Sequence, residues 1–257
     1  MNIVTLTTDY GQDDYYVALL KGAISSRIAE AQYIDISHNI KAYDIVQGAF
    51  YLQNVVDKFP AQCIHIASVQ SYASYQDAII VFKLNEQYFI GPNNGLFSLA
   101  FPNQNDLQVY QVTVDRSIYP FVEDVYAHAV ASICHGLPLS DFGTITDDFI
   151  IKIGIQPVKT SSQIRATIIH IDRFGNVIIN LKHQTFENIR KGRRFKLYYK
   201  SKDPLTHISK HYGAVSIGEV LCFFNSSDYL EIAINMGNAH ESLSLRKHET
   251  VQIDFYE

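Results

Sequence analysis

The chain has 257 residues, 47% of them hydrophobic and 18% charged, which is enough for one large domain or two smaller ones with separate cores. Its net charge of −5, with only 21 Lys and Arg, argues against a nucleic-acid partner, because binding a phosphate backbone requires a basic surface. There is no leader-like start and no run of eighteen apolar residues, so we expect a cytoplasmic protein with no membrane partner.

The three cysteines, Cys63, Cys134 and Cys222, stand alone in apolar runs. They have none of the paired spacings that disulfide frameworks or zinc sites require. We therefore expect buried free thiols in a reducing compartment, and no metal site.

Short β-rich runs alternate with helical periods through the first half of the chain. The last of the helical segments stops at Gly136, as a C-terminal glycine cap predicts. This alternation predicts an α/β fold class, with a mostly parallel sheet covered on both faces, in a domain of residues 1–155. The predicted strands are residues 3–8, 33–36, 63–69, 78–82 and 88–90, and the predicted helices are residues 14–28, 44–58 and 124–135.

The rhythm changes after about residue 155. Residues 156–163 are polar and indicate a linker, and the rest of the chain is a series of short, turn-bounded strands with little room for long helices. This pattern predicts a small C-terminal β-barrel in residues 164–257. The predicted strands are residues 167–171, 177–181, 195–199, 219–224, 229–234 and 251–255.

The first candidate site is TTDYG at residues 7–11, followed by Asp14. Asp9 falls at the carboxyl end of the first predicted strand, the edge where ligands bind in open α/β sheets. A carboxylate there can accept hydrogen bonds from both hydroxyls of a ribose diol. A purely structural role is also open for both residues, and for Asp14 we favour a helix cap.

Two further polar segments join predicted strands in the second half. IDRFGN at residues 171–176 describes a hairpin turn as readily as a binding loop. The amides and hydroxyls of residues 225–227 and 235–239 bracket a strand, where they could contact a base or cap the backbone.

Taken together and in order, these segments resemble the S-adenosyl-L-methionine hydroxide adenosyltransferase family, which comprises S-adenosyl-L-methionine hydrolases and the fluorinase and chlorinase enzymes. The resemblance covers nearly the whole chain. The segments that carry it are LTTDYG at residues 6–11 with Asp14, ISHNI at 36–40, GPNNG at 91–95, IDRFGN at 171–176, and LEIA at 230–233 with GNA at 237–239.

The resemblance implies an α/β domain followed by a β-barrel, and homotrimers that hold S-adenosyl-L-methionine or a related adenosine compound between subunits, as substrate or ligand and without a separate cofactor. Asp9 would bind the ribose hydroxyls, with Asp14 nearby and Tyr43 beside the sugar. The remaining implied ligand residues are Asp172, Phe174 and Asn176, around the amino-acid end, and Ser226 and Asn238, which frame the nucleoside.

The chain departs from the hydrolase pattern where the resemblance expects an Asp, an Arg and a His that position and activate hydroxide. Gln70, Asp77 and Phe121 stand at those three positions. Glu123 replaces a neighbouring Arg, and Val122 replaces the hydroxyl-bearing residue of the halide pocket. Gln70 cannot take a proton, and the two acidic residues would repel an attacking anion.

We therefore expect an adenosine-binding family member whose hydrolysis of S-adenosyl-L-methionine is lost or much reduced. One alternative is an active hydrolase in which Tyr72, Tyr75, Glu123 or His128 forms a different catalytic group. Another is a structural or partner-binding trimer whose pocket has closed, for example through residues 70–77. His65 and His128 fall in apolar surroundings, where packed structural histidines are expected.

Overall fold

The computed structural model describes residues 2–71, 78–102, 104, 106–200 and 203–257. The chain divides into two compact units, Met1–Gly154 and Ile155–Glu257. We call them the N-terminal and the C-terminal unit. No helix among the described residues is long and apolar enough to cross a membrane.

The N-terminal unit alternates strands and helices as the sequence predicts. Its strands are β1 (Asn2–Thr8), β2 (Ala31–Ser37), β3 (Ile64–Ser68), β4 (Ile79–Leu84), β5 (Gln87–Pro92), β6 (Val109–Val112) and β7 (Gly143–Ile145). Its helices are α1 (Tyr16–Ser25), α2 (Ile45–Val55), α3 (Leu96–Ala100) and α4 (Val122–Cys134), with 3₁₀ turns at Val56–Lys58 and Leu139–Asp141.

The sheet of this unit has the strand order β2-β1-β3-β5-β4-β6-β7. The first four strands are parallel, while β4 pairs antiparallel with β5 and β6, and β7 antiparallel with β6. The antiparallel part of the sheet begins at the β4–β5 hairpin, where Asn85 (φ 50°) and Glu86 (φ 61°) both adopt the left-handed conformation of a tight hairpin turn. The α/β fold class is confirmed, with five of the seven strands, β1, β2, β3, β5 and β6, sharing one direction.

Helices cover both faces of this sheet. Side chains of α1 and α4, such as Leu20 and Val130, pack on one face, and side chains of α2 and α3, such as Leu52 and Leu96, pack on the other. Because the sheet is covered on both sides, Val4–Thr8 of β1 are all buried, including three threonines. The predicted double cover is confirmed.

The C-terminal unit is an antiparallel sheet that curls into a half-barrel, in the order β11-β14-β9-β10-β13-β12, with β8 added beside β9. Nineteen buried residues, among them Ile168, Phe186 and Ile232, form its core. The strands are β8 (Val158–Lys159), β9 (Gln163–Ile171), β10 (Val177–Lys182), β11 (Arg194–Tyr198), β12 (Val220–Phe224), β13 (Tyr229–Ile234) and β14 (Thr250–Tyr256), and the helices are α5 (His183–Arg190) and α6 (Ala239–Ser242), with a 3₁₀ turn at Tyr212–Ala214.

Several boundaries differ from the predictions. Helix α1 begins at Tyr16, and its N-cap Tyr15 makes no side-chain capping bond, so the cap role that we favoured for Asp14 is wrong. Gly136 does have the left-handed conformation (φ 77°) expected of a C-terminal glycine. The predicted linker, residues 156–163, contains strand β8, which pairs with β9.

His65 is buried as predicted, and so are two of the three cysteines. All three cysteines are free; Cys63 and Cys222 are buried, whereas Cys134 is half-buried. His65 is 0% exposed, its Nδ1 lies 2.7 Å from Thr5 Oγ1, and its ring packs between Phe59 and Phe89. Burial lowers the pKa of His65 from 6.5 to about 4, so the ring is neutral at pH 7.

A buried neutral histidine makes stability depend on pH. Between pH 6.5 and about 4, His65 is protonated in the unfolded chain but not in the folded chain. Lowering the pH through this range should therefore reduce the free energy of unfolding, by up to roughly 3 kcal/mol from this group. In urea titrations across this range, His65→Phe should show a shallower pH dependence than the wild type. His135→Phe, at an exposed position, is the control, and an unchanged slope for His65→Phe would contradict the assignment.

Candidate ligand-binding site

The Asp9 carboxylate follows β1 directly and is held by two backbone amides from other segments. Its Oδ2 accepts hydrogen bonds from Tyr43 N (2.9 Å) and Gln70 N (3.1 Å). Tyr43 precedes α2, and Gln70 lies just past β3. No described residue donates to Oδ1, so one oxygen fixes the loops and the other can accept from a ligand.

The two loops have the backbone geometry that this contact requires. Tyr43 (φ 68°) and Gln70 (φ 54°) both adopt the left-handed conformation, which is uncommon for residues other than glycine. Such strain is retained where the surrounding structure fixes it, and it is typical of functional sites. The side chain of Tyr43 is 60% exposed, beside the carboxylate that its own amide anchors.

Two of the sequence motifs brace this arrangement. In GPNNG, Asn94 Nδ2 donates to Val69 O (2.9 Å), next to the Gln70 amide. A Cβ at Gly91 would lie 2.5 Å from the backbone oxygen of Ala67, so only glycine fits there. In ISHNI, the oxygen of His38 accepts from Gly11 N (2.8 Å) and fixes the loop that carries Asp9.

A cluster of hydroxyl groups surrounds the base of this site, and the sequence analysis gave it no role. Tyr10 Oη lies 2.7 Å from Ser68 Oγ, and Ser71 Oγ lies 3.0 Å from Tyr126 Oη. Burial, together with the charges of Asp9 and Glu123, raises the pKa of Tyr10 to about 12, and burial also raises that of Tyr126. Both phenols stay protonated at neutral pH, so they can donate hydrogen bonds but cannot act as bases.

The start of α4 carries three of the positions that depart from the hydrolase and halogenase pattern, Phe121, Val122 and Glu123. Phe121 is the N-cap of α4 and is 60% exposed, with no side-chain capping bond. Glu123 is close enough to raise the pKa of Tyr10 by its charge. His128 packs against Tyr119 and Phe142, as expected of a structural histidine. Asp77, Tyr72 and Tyr75 lie outside the described residues.

The predicted ligand loop of the C-terminal unit is organised by Asp172. Its Oδ1 accepts from Phe174 N (2.8 Å) and Asn176 N (2.9 Å), and its Oδ2 accepts from Asn176 Nδ2 (2.9 Å). These bonds turn the chain tightly and leave Phe174 74% exposed at the tip. The turn-forming role that the sequence left open is therefore real, and it presents an aromatic ring to solvent.

The same loop contacts the GNA segment. Gly175 (φ 81°) lies so close to Asn238 that a Cβ there would come within 2.1 Å of Asn238 Oδ1. Asn238 also caps α6, since its Oδ1 accepts from Glu241 N (3.0 Å). Asp172, Phe174, Asn176 and Asn238 are thus brought together, whereas Ser226 is an exposed turn residue.

Asp14 is not drawn into either group. It is exposed, and no hydrogen bond of the described residues joins it to Asp9. No group of three His, Cys, Asp or Glu side chains in the described part of the chain is arranged to hold a metal. A separate cavity of about 260 Å³, lined by residues such as Val56, Gln87 and Phe101, lies at the other end of the parallel strands and contains none of the predicted site residues.

Sequence reasoning missed a buried polar network behind the Asp172 loop. Glu231 accepts from Tyr212 Oη (2.7 Å) and from Asn225 Nδ2 (2.9 Å). Tyr212 Oη in turn lies 3.4 Å from Asn176 Nδ2. One signal was available in the sequence, because Glu231 is the lone charged residue in an otherwise apolar strand.

Comparison with known proteins gives a consistent picture. Residues 4–143 match the family model described as the SAM hydroxide adenosyltransferase N-terminal domain, and residues 166–252 match that of the C-terminal domain. An (R)-S-adenosyl-L-methionine hydrolase of Methanocaldococcus jannaschii is 28% identical over 98% of this chain and 96% of the relative. A fluorinase of an Actinoplanes species is 21% identical over 98% and 97% of the respective chains.

The fold is also found in a solved structure. An uncharacterized conserved protein from Thermotoga maritima superposes with a TM-score of 0.83 at 22% identity, covering 99% of this chain and 100% of that one.

The Asp9 contacts predict a specific stability loss. Asp9→Ala leaves the amides of Tyr43 and Gln70 without their acceptor and should lower the free energy of unfolding by about 1–3 kcal/mol in urea titrations. Asp14→Ala removes an exposed carboxylate from the same loop and should change it by less than about 0.5 kcal/mol. Equal effects of the two substitutions would contradict the anchoring role.

Proposed function

The chain belongs to the S-adenosyl-L-methionine hydroxide adenosyltransferase family, and we propose that it binds S-adenosyl-L-methionine or a related adenosine compound while its hydrolysis of that ligand is lost or much reduced. The ligand is a substrate or bound effector, and no separate cofactor is proposed.

Binding is supported by the state of the Asp9 carboxylate. Oδ2 accepts two backbone N–H bonds, which hold the group in place before any ligand arrives. Oδ1 then offers two lone pairs to the hydroxyls of a ribose. Because the carboxylate is already fixed, little side-chain entropy is lost when the sugar binds. Tyr43, exposed beside it, would flank the sugar.

The C-terminal unit would supply the remaining contacts. Phe174 offers an exposed ring, and Asn176 and Asn238 offer amide groups on the loop that Asp172 organises. Ser226 would contact the nucleoside from its exposed turn. These roles follow from the family resemblance and from the grouping of the side chains within this unit.

Loss of hydrolysis is supported by the residues at the family's catalytic positions and by the phenols near Asp9. The side chain of Gln70 cannot accept a proton, and Phe121 has no polar group. Tyr10 and Tyr126 have raised pKa values and remain protonated at neutral pH. A nucleophile must be aligned and its charge stabilised, and the described groups near Asp9 are phenols that stay protonated and carboxylates that would repel an anion.

An active hydrolase is the second candidate. One observation favours it: the charge of Glu123 is felt at Tyr10, so a carboxylate lies close to the Asp9 loop. A carboxylate placed beside the reacting atoms can serve as a general base. The hydrolase from Methanocaldococcus jannaschii, whose sequence aligns with nearly the whole chain, is consistent with retained chemistry.

We also propose that the protein is a cytoplasmic homotrimer with its ligand sites at subunit interfaces. Tyr15, which is the N-cap of α1, and Tyr16 and Leu19 on α1 are each at least 45% exposed, and so are Ile151 and Ile153. Exposed apolar groups of this size are typical of surfaces that are covered by a partner.

Calorimetry should separate ligand binding from fold integrity at Asp9. In Asp9→Asn the amide oxygen can still accept from Tyr43 N and Gln70 N, but an NH₂ group then faces the ligand. The affinity for adenosine should fall by at least about tenfold while the unfolding midpoint stays near that of the wild type. Asp14→Asn is the control. Wild-type protein that binds neither S-adenosyl-L-methionine, adenosine nor methionine would refute the proposal.

Product analysis tests the second half of the proposal. Adenosine release from S-adenosyl-L-methionine should be at least about a hundredfold slower than with the Methanocaldococcus hydrolase assayed in parallel, because Gln70, Asp77 and Phe121 stand at the family's catalytic positions. Comparable rates would overturn the inactive assignment. Abolition of those rates in Glu123→Gln would then identify Glu123 as the replacement.

A further inference from the structure

Glu231 is buried on the face of β13 that points away from the main core of the C-terminal unit. Leu230 and Ile232 belong to that core, while Ala233 packs with Phe223 and Leu221 in a separate small cluster. Glu231 is only 3% exposed, and its neighbours in register are Ile178 on β10 and Phe223 on β12. An apolar side chain would therefore suit this position.

A carboxylate here is costly for stability. Moving an ionised group out of water costs several kcal/mol unless a partner compensates it. No Lys, Arg or His in the described part of the chain forms an ion pair with Glu231. Burial and the charge of Asp172 raise its pKa, while hydrogen bonds from Tyr212 and Asn225 lower it in part. Packing does not explain why the residue is acidic.

The bonds to Glu231 have a fixed direction. Asn225 Oδ1 accepts from Ser227 N (3.0 Å) and Tyr229 N (3.1 Å), so its Nδ2 must be the group that donates to Glu231 Oε2. An ionised carboxylate can only accept, so the hydroxyl proton of Tyr212 points to Glu231 Oε1. Tyr212 Oη is then left as an acceptor on its other side.

That acceptor faces the amide of Asn176. Asn176 Nδ2 donates to Asp172 Oδ2 (2.9 Å) and points its second proton at Tyr212 Oη (3.4 Å). Both neighbours of Nδ2 are thus acceptors, which fixes the amide orientation. No described residue donates to Asn176 Oδ1, so this oxygen remains free to accept from a ligand.

We propose that Glu231 is a positioning residue: through Tyr212 it supplies a second acceptor beside Asp172 Oδ2, and the two acceptors together make Asn176 present its carbonyl oxygen to an N–H or O–H donor of the ligand. The identity of the ligand rests on the proposed function, whereas the orientation of the Asn176 amide does not. Glu231 and Tyr212 act on this amide and do not touch the ligand themselves.

The substitution Glu231→Gln tests this directly. To keep its bond with Asn225 Nδ2, the new amide must turn its oxygen to Asn225 and its NH₂ to Tyr212. The Tyr212 proton is then driven towards Asn176 Nδ2, so two donors face each other. The affinity for S-adenosyl-L-methionine, whose amino-acid end Asn176 would contact, should fall by about tenfold or more. Thermal stability should be equal or higher, because a neutral amide is cheaper to bury than a charge.

A double-mutant cycle separates positioning from a merely structural role. Tyr212→Phe removes the hydroxyl link and should weaken S-adenosyl-L-methionine binding by a similar factor. The double variant should be no weaker than either single one, because both changes break the same chain of bonds. Glu187→Gln and Tyr198→Phe, at more exposed positions of the same unit, are the matched controls and should bind like the wild type. Full affinity in Glu231→Gln, or additive losses, would overturn the inference.

A readout without ligand distinguishes failure of this inference from failure of the proposed function. In ¹⁵N NMR spectra of the free protein, the side-chain amide signals of Asn176 should shift in Glu231→Gln and in Tyr212→Phe but not in the controls. If the wild type binds no adenosine compound while these signals shift, the proposed function fails and the orientation of Asn176 stands. Unshifted signals would refute the orienting role whatever the binding result.

Discussion

The Asp9 carboxylate, shared between two backbone amides and open on its other oxygen, is the contact on which the N-terminal site depends. It joins the end of β1 to the loop before α2 and to the loop after β3. The parallel arrangement of β1, β2 and β3 makes this possible, because their carboxyl ends meet at one edge of the sheet. The same bonds that hold the fold together at this edge also prepare an acceptor for a ligand.

The surroundings of Asp9 combine buried hydroxyl groups with a second negative charge. Buried phenols with raised pKa values line the base of the site, and the charge of Glu123 adds to that of Asp9. A second group of acceptors occurs in the C-terminal unit, where Asp172 orders its loop and Glu231 directs the hydrogen bonds behind it. Each unit uses carboxylates to fix backbone or amide groups.

Much of the fold could be predicted because its strands follow simple hydrophobic patterns. The predicted span of β13 matches the structure at both ends, and the cover of the first sheet on both faces was correct. Helix α5 was missed because it buries Phe186 alone and shows no repeating apolar stripe. Helix α3 was missed because its five residues are too few to show a helical period. The tight turn between β4 and β5 was missed because it uses Asn85 and Glu86, without the glycine that would have marked a hairpin.

The site was predictable only in part. The position of Asp9 follows from the strand pattern, and the turn at Asp172 follows from its sequence. The amides of Tyr43 and Gln70 could not be predicted, because every residue except proline has a backbone N–H and only the fold selects which ones converge. Tyr212 meets Glu231 through a segment without regular periodicity, so their pairing was invisible before the structure.

A crystal structure of the protein with adenosine tests the central claim most directly. We expect the ribose hydroxyls within about 3 Å of Asp9 Oδ1, with Oδ2 still accepting from Tyr43 N and Gln70 N. A ribose bound elsewhere, or an Asp9 carboxylate that has left both amides and turned from the ligand, would contradict it.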